Sequence, residues 1–194
     1  MLIAIVGIDG VGKTTQVELL KMFLSSFYPV KLCKAVVTNK SLVDNIDCNK
    51  EVTREEIISV AAAFDMLISY NTQMNLGDDF IYIWDRYKCC HEAYFPDEHT
   101  QHKISYMILK KTKAPDITVC LTINPVVAVE RIIKRGNAGQ WDCVNFLSKV
   151  QENYLRLFSA NENFYIIDCT DLSKNAVHKR IINIIAKYID ISYI

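Results

Sequence analysis

Short apolar runs recur along this chain, separated by stretches whose apolar residues fall at helical spacing. Residues 2–6 are continuously apolar, as expected of a parallel strand covered on both faces. From Lys13 to residue 27, Val17, Leu20, Met22, Phe23 and Leu24 repeat in a helix-like pattern that ends near Pro29. Residues 30–37 read as a second strand. Thr53 is a candidate N-cap for a helix over 54–76, with Glu55 and Glu56 in its first turn and Gly77 as its stop. Residues 80–84 form a third strand that delivers Asp85 at its carboxyl end. A helical segment through 102–113 and a fourth strand over 116–123 follow. Asn124-Pro125 opens a helix that runs to Arg135, pairing a capping side chain with proline at the first helical position. After the short flexible stretch 136–140, a helix over 142–161, a strand over 164–168 and a closing helix over 173–188 complete the chain. This alternation predicts an α/β protein, a three-layer sandwich around a five-stranded parallel sheet, in a single domain.

Composition narrows the possibilities. The 194 residues are 51% hydrophobic and 23% charged, which is ordinary for a globular domain. Twenty-two basic and 22 acidic residues cancel, so nothing resembles the basic footprint of a nucleic-acid-binding domain. A small anionic ligand needs only a local cluster of positive charge. The apolar runs fall well short of the roughly 18 residues that a membrane span needs, and a strand beginning at Leu2 leaves no targeting segment. The chain therefore reads as soluble and cytosolic, with no membrane partner. None of its seven cysteines lies in a C-x-x-C pair, which argues against a zinc site. Cys33, Cys120 and Cys169 sit in strand-like runs as reduced core thiols.

The chemistry begins directly after the first strand. Gly7-Ile8-Asp9-Gly10-Val11-Gly12-Lys13-Thr14-Thr15 has the spacing G-x-x-x-x-G-K-T between a strand and a helix, the pattern of a phosphate-binding P-loop. Phosphate oxygens need converging N–H donors, which glycines and a helix N-terminus supply. Lys13 is expected to reach the β- and γ-phosphates, Thr14 to hold Mg²⁺ and Thr15 to meet the α-phosphate of ATP. Asp9 either stabilises the turn or holds the hydroxyl of a second substrate beside the phosphates.

Asp85-Arg86-Tyr87 would lie beyond the carboxyl end of its strand, where open α/β sheets bind ligands. There a carboxylate can serve the Mg²⁺ shell or orient an attacking oxygen, and an arginine can bind a second phosphate. Arg131, Lys134 and Arg135 cluster at a helix end before the 136–142 stretch. Such cations either answer the helix dipole or serve a lid that neutralises the transferring phosphoryl group.

These residues, in this order, resemble the thymidylate kinases. GIDGVGKTTQ at 7–16, DRY-x-x-x-x-x-AY at 85–94, NPVVAVERIIKRG at 124–136 and FLSKVQENYLRLF at 146–158 carry the resemblance. It implies the P-loop nucleotide kinase fold, and transfer of the γ-phosphoryl group of ATP to deoxythymidine monophosphate with Mg²⁺. It also implies a homodimer. On this reading Asp9 engages the acceptor's sugar hydroxyl, Arg86 the zone between the phosphates, and Tyr87 and Tyr94 the acceptor. Asp85 serves the metal, and Arg131 and Arg135 the lid.

The chain departs from the family on the acceptor side. The family's third helix usually carries a phenylalanine and an arginine that hold the acceptor. Here Ala61-Ala62-Ala63-Phe64-Asp65-Met66 has no arginine, Phe64 is the candidate for stacking on the base, and Arg54 could supply the cation. Thr38-Asn39-Lys40 replaces an Arg-Glu-Pro stretch, Cys90 a serine and Phe95 a glutamine. Some members carry an arginine where Gly10 stands. These losses leave two alternatives: a kinase for another nucleoside or nucleotide, and an ATP-binding regulator without useful turnover.

Overall fold

The computed structural model describes residues 1–35, 53–96, 103–136, 139 and 141–191. In chain order the elements are β1 (Leu2–Gly7), α1 (Lys13–Leu24), β2 (Val30–Lys34), α2 (Arg54–Gln73), β3 (Ile81–Asp85) and α3 (Lys88–Tyr94). They continue with α4 (Lys103–Leu109), β4 (Ile117–Thr122), α5 (Pro125–Lys134), α6 (Val144–Phe158), β5 (Phe164–Asp168) and α7 (Lys174–Ile185). The five strands pair in parallel in the order β2-β3-β1-β4-β5.

The sheet explains its own composition. Every residue of the central strands β1, β3 and β4 is buried, whereas the edge strands β2 and β5 are partly exposed. Helix α1 covers one face and packs against α7; on the other, α3 meets β1 and joins α2 to α6, with α4 on α2 and α5 on α6. This is the expected three-layer α/β sandwich. At β1 the chain order reverses, with β3 on one side and β4 on the other. A crevice therefore opens at the carboxyl ends of β1 and β3.

Local chemistry sets the element ends. Thr53 caps α2 with a full capping box: its hydroxyl accepts from the Glu56 N–H at 3.2 Å while Glu56 accepts from the Thr53 N–H at 2.6 Å. That helix ends at Gln73, three residues short of expectation, because the buried Tyr82 hydroxyl takes the Leu76 N–H at 2.9 Å and donates to the Gly77 carbonyl at 3.1 Å. The segment expected over 102–113 is helical only as far as Leu109, where the Thr112 hydroxyl donates to the Leu109 carbonyl. Helix α6 starts two residues late because the Asp142 carboxylate accepts from the Gly139 N–H at 2.8 Å in a turn. Helix α3 was not anticipated. Its seven residues are too few to show a period, yet it forms one wall of the site. Residues 36–40, including the Thr38-Asn39-Lys40 departure, lie outside the described residues.

Candidate active site

The glycine loop wraps back on itself after β1. Gly10 sits at φ +81°, and a side chain there would run into the Ala128 carbonyl oxygen of α5. Packing of α5 against the loop thus keeps an arginine out of position 10, so the cations must come from elsewhere. Ile8 and Val11 are buried as anchors, while Thr14 and Thr15 are exposed at the mouth of α1. The Lys13 ammonium donates to the Ile8 carbonyl at 2.7 Å and lies 3.9 Å from Asp9. Burial, and then repulsion from Arg86, lower its pKa to about 8.

The Thr14 hydroxyl donates to Asp85 at 2.7 Å. One hydroxyl and one buried carboxylate, side by side at a P-loop, form the hard-oxygen donor pair that Mg²⁺ takes when phosphates and water complete its shell. The two residues expected to serve the metal are brought together.

Asp9 stands between the two halves of the site. It forms an ion pair with Arg86 and accepts from the Tyr94 hydroxyl at 3.0 Å. The Arg86 guanidinium also lies 5.8 Å from the centre of the Tyr94 ring. Burial pulls the Asp9 carboxyl upward, but the charges of Arg86 and Lys13, with the Tyr94 hydrogen bond, outweigh it and hold it below the usual carboxylate value. Asp9 is therefore an anion at neutral pH. Arg86 has φ +69°, the only non-glycine residue with positive φ among the described residues, and its N–H donates to the Ile5 carbonyl at 3.1 Å. A side chain held in this region costs on the order of 1–3 kcal/mol, and such strain clusters at working sites.

Beyond this triangle lies a cavity of about 460 Å³, the size of a nucleotide pocket. Ile58, Ala62, Asp65 and Met66 of α2 form one wall, and Cys90, His91 and Tyr94 of α3 another. Trp141, Asp142 and Phe146 also line it. Trp141 and Phe146 rings are 4.8 Å apart, and Phe146 meets Tyr94 edge-on at 5.9 Å. The Asn153 amide ties α6 to α3 through the Ala93 carbonyl at 2.8 Å.

Two expected acceptor residues sit differently from their assigned places. Phe64 is 49% exposed and does not line the cavity. Helical phase is the reason, because Ile58, Ala62 and Met66 recur every four residues and turn Phe64 outward. Tyr87 touches the cavity, but it is a buried pillar: its ring packs against Trp84 at 5.2 Å and its hydroxyl donates to the Lys113 carbonyl at 2.8 Å. Arg131 on α5 and Arg135, the residue that caps its end, are exposed. The Arg135 charge reaches Asp9, while that of Arg131 reaches Cys169. Sequence reasoning passed over Trp141, Phe146, Ile58 and Met66.

Among the described residues, no group of three or more histidines, cysteines or carboxylates could bind a metal alone, and no helix is long and apolar enough to cross a membrane.

The family model described as thymidylate kinase matches residues 5–181. A probable thymidylate kinase of Methanosphaera stadtmanae is 31% identical over 205 residues, covering 97% of this chain and 99% of its own. Probable thymidylate kinase 1 of Saccharolobus solfataricus is 32% identical over 193 residues, covering 96% and 97%. The solved thymidylate kinase of Candida albicans has the same fold, with a TM-score of 0.66 at 24% identity over 96% of this chain and 91% of that one. With its glycine loop, its Asp9–Arg86 pair and these matches over nearly its whole length, the chain belongs to the thymidylate kinase family.

Proposed function

We propose that the protein moves the γ-phosphoryl group of ATP to deoxythymidine monophosphate, giving deoxythymidine diphosphate and ADP. The observation that supports it best is the Asp9 carboxylate, which belongs to the glycine loop yet faces the cavity through Arg86 and Tyr94. One residue thereby couples a donor site to an acceptor site. The glycine loop and Lys13 receive the β- and γ-phosphates. Lys13 gives up the Ile8 carbonyl in doing so, and its charge is favoured once phosphate is near. Arg86, anchored by Asp9, turns its remaining N–H groups to the acceptor phosphate and holds the attacking oxygen in line. Asp9 receives the sugar hydroxyl. Trp141, Phe146, Ala62 and Met66 enclose the base and exclude water. Arg135 approaches from α5 as the cation for developing charge, with Arg131 one turn behind it. Thr14 and Asp85 would hold Mg²⁺, which neutralises the phosphate oxygens when bound.

The exposed apolar side chains Phe64 and Ile68 on α2 and Ile104 and Met107 on α4, two helices packed together, support a homodimer through this face. The six described cysteines are all free thiols, as suits the reducing cytoplasm.

ADP release measured across the common nucleoside monophosphates tests the assignment. The deoxythymidine compound is expected to give the highest kcat/KM. A higher value for another acceptor would select a different kinase, and tight ATP binding with no acceptor-dependent turnover would leave only a regulator.

A further inference from the structure

The cavity of about 460 Å³ has walls of two kinds. At its phosphate end Arg86 and Tyr94 are bound to Asp9, and these three groups answer one another. On α2 the residues that line it are Ile58, Ala62, Asp65 and Met66. Their spacing is that of one helical face, so a half-buried carboxylate stands in a stripe that is otherwise apolar. Two other polar side chains of the lining serve the protein's own backbone. The Asp142 carboxylate accepts from the Gly139 N–H at 2.8 Å, and the His91 Nε2 lies 2.8 Å from the Ser59 carbonyl oxygen. A carbonyl only accepts, so that nitrogen is a donor already engaged. Among the described residues, Asp65 is the polar group that α2 brings to the cavity.

A pyrimidine whose sugar hydroxyl meets Asp9 and whose base packs on Met66 carries its outer edge away from the sugar, along the α2 wall. In thymine that edge reads O4, N3–H, O2: acceptor, donor, acceptor. A carbonyl oxygen keeps a second lone pair when one contact is lost, whereas a buried N–H without an acceptor bears its whole desolvation penalty. N3–H is therefore the group that the wall has to satisfy. With no arginine among residues 61–66, this stretch of α2 offers the carbonyls no charged donor, and the reading falls to N3–H. An ionised carboxylate only accepts, and one of its oxygens suffices. In cytosine the same position is a bare ring nitrogen, so two lone pairs would face each other. Cytosine reaches the carboxylate with its 4-amino group only by sliding along the wall, which takes its sugar off Asp9.

We propose that Asp65 sets the acceptor specificity: its carboxylate takes the ring N3–H of a thymine or uracil base and turns away cytosine. This role rests on the reading of the cavity as the acceptor site, and it names the class of base that the site takes, an imide pyrimidine. Attraction to one base and repulsion of the other act at a single ring atom, which is how a site separates two bases of nearly equal size. Asp65 and Arg86 then divide the work, the carboxylate choosing the base and the guanidinium holding the phosphate.

The test compares three acceptors in steady-state kinetics at saturating ATP: deoxythymidine monophosphate, its N3-methyl derivative and deoxycytidine monophosphate. The parent should prefer the first over the other two by at least about 10²-fold in kcat/KM, as a site built around a substrate N–H rejects analogues that lack it. Asp65→Ala should lower the value for deoxythymidine monophosphate by about 30-fold, the loss of one hydrogen bond to a charged group, and leave the N3-methyl compound within about twofold. Asp65→Asn keeps the shape of the side chain and presents either a carbonyl or an N–H. It should hold deoxythymidine monophosphate within about fivefold of the parent and raise deoxycytidine monophosphate by about tenfold. The ATP KM should stay unchanged in both variants. Damage to the helix alone would lower all three acceptors alike, so equal losses in Asp65→Ala overturn the proposal. A parent that takes the N3-methyl compound as readily as the natural one overturns it too, as does an Asp65→Asn enzyme with the parent's preference against cytosine. In each of these cases turnover of deoxythymidine monophosphate leaves the functional reading standing. A parent that turns over none of the three overturns the reading and the role of Asp65 together.

Discussion

The two halves of the site are built by different means. The donor half is a matter of backbone: Gly7 to Thr15 are contiguous, and the loop's shape is enforced by positive-φ glycines packed against Leu121 and Ala128. The acceptor half is a matter of side chains, drawn from α2, α3, the turn before α6 and α6 itself. At Gly7 and Gly10 this loop leaves no room for a side chain. A side-chain-built site can be re-specified one residue at a time. Asp9 and Arg86 are where the two methods of construction meet.

The difference can be broken at its strongest point first. Lys13→Ala removes the only side-chain cation of the loop, and turnover should fall by roughly 10²–10³-fold, the usual loss for one positioned charge stabiliser. Steady-state kinetics with saturating acceptor would measure it, and near-normal rates would mean that the loop does not hold the transferring phosphate. Arg86→Ala should cost about 10²-fold in kcat/KM for the monophosphate. It also frees Asp9 from its partner, so the Asp9 pKa should rise toward or beyond the ordinary carboxylate value, which carbon-detected NMR titration would follow.

Trp141→Ala and Phe64→Ala form a sharper pair, because one residue lines the cavity and the other does not. The first should raise the acceptor KM by about tenfold, the loss expected for one well-packed aromatic contact of about 1–2 kcal/mol, with the ATP KM unchanged. The second should leave both KM values within about twofold and instead weaken self-association in sedimentation runs, as suits a surface residue. Reversal of the two outcomes would put the base on the outer face of α2.

The smallest effect is in pH. The Lys13 ammonium in the free protein is lowered to about 8, so above that pH the loop loses its charge before nucleotide arrives. Bound phosphate favours the protonated form, so ATP binding at pH 8.5 should take up protons and weaken as pH rises. Calorimetry in buffers of different ionisation enthalpy would read the uptake. A proton count of zero would mean that Lys13 stays fully charged without ligand.

The same contrast explains what the sequence made legible. The glycine loop, Thr14 and Asp85 were readable because each follows a buried apolar strand whose end fixes the residue in space. Asp9, Arg86 and Tyr94 were reached through spacing and family resemblance, and the fold brings them into contact. Phe64 lies outside the cavity because composition names a residue type, while the face it presents depends on helical phase. Ala62 and Met66, two positions to either side, line the cavity instead. Helix α3 is too short to announce itself by periodicity, and Trp141 lies next to a glycine-containing stretch whose appearance suggests only a flexible lid.

A crystal structure with deoxythymidine monophosphate and a non-hydrolysable ATP analogue tests the central claim most directly. The account predicts the monophosphate in the cavity, its base between Met66 and Trp141, its phosphate on Arg86 and its sugar hydroxyl on Asp9, with the γ-phosphate at Lys13. A monophosphate bound elsewhere, or one in the cavity with its phosphate turned away from Arg86 and Lys13, would contradict it.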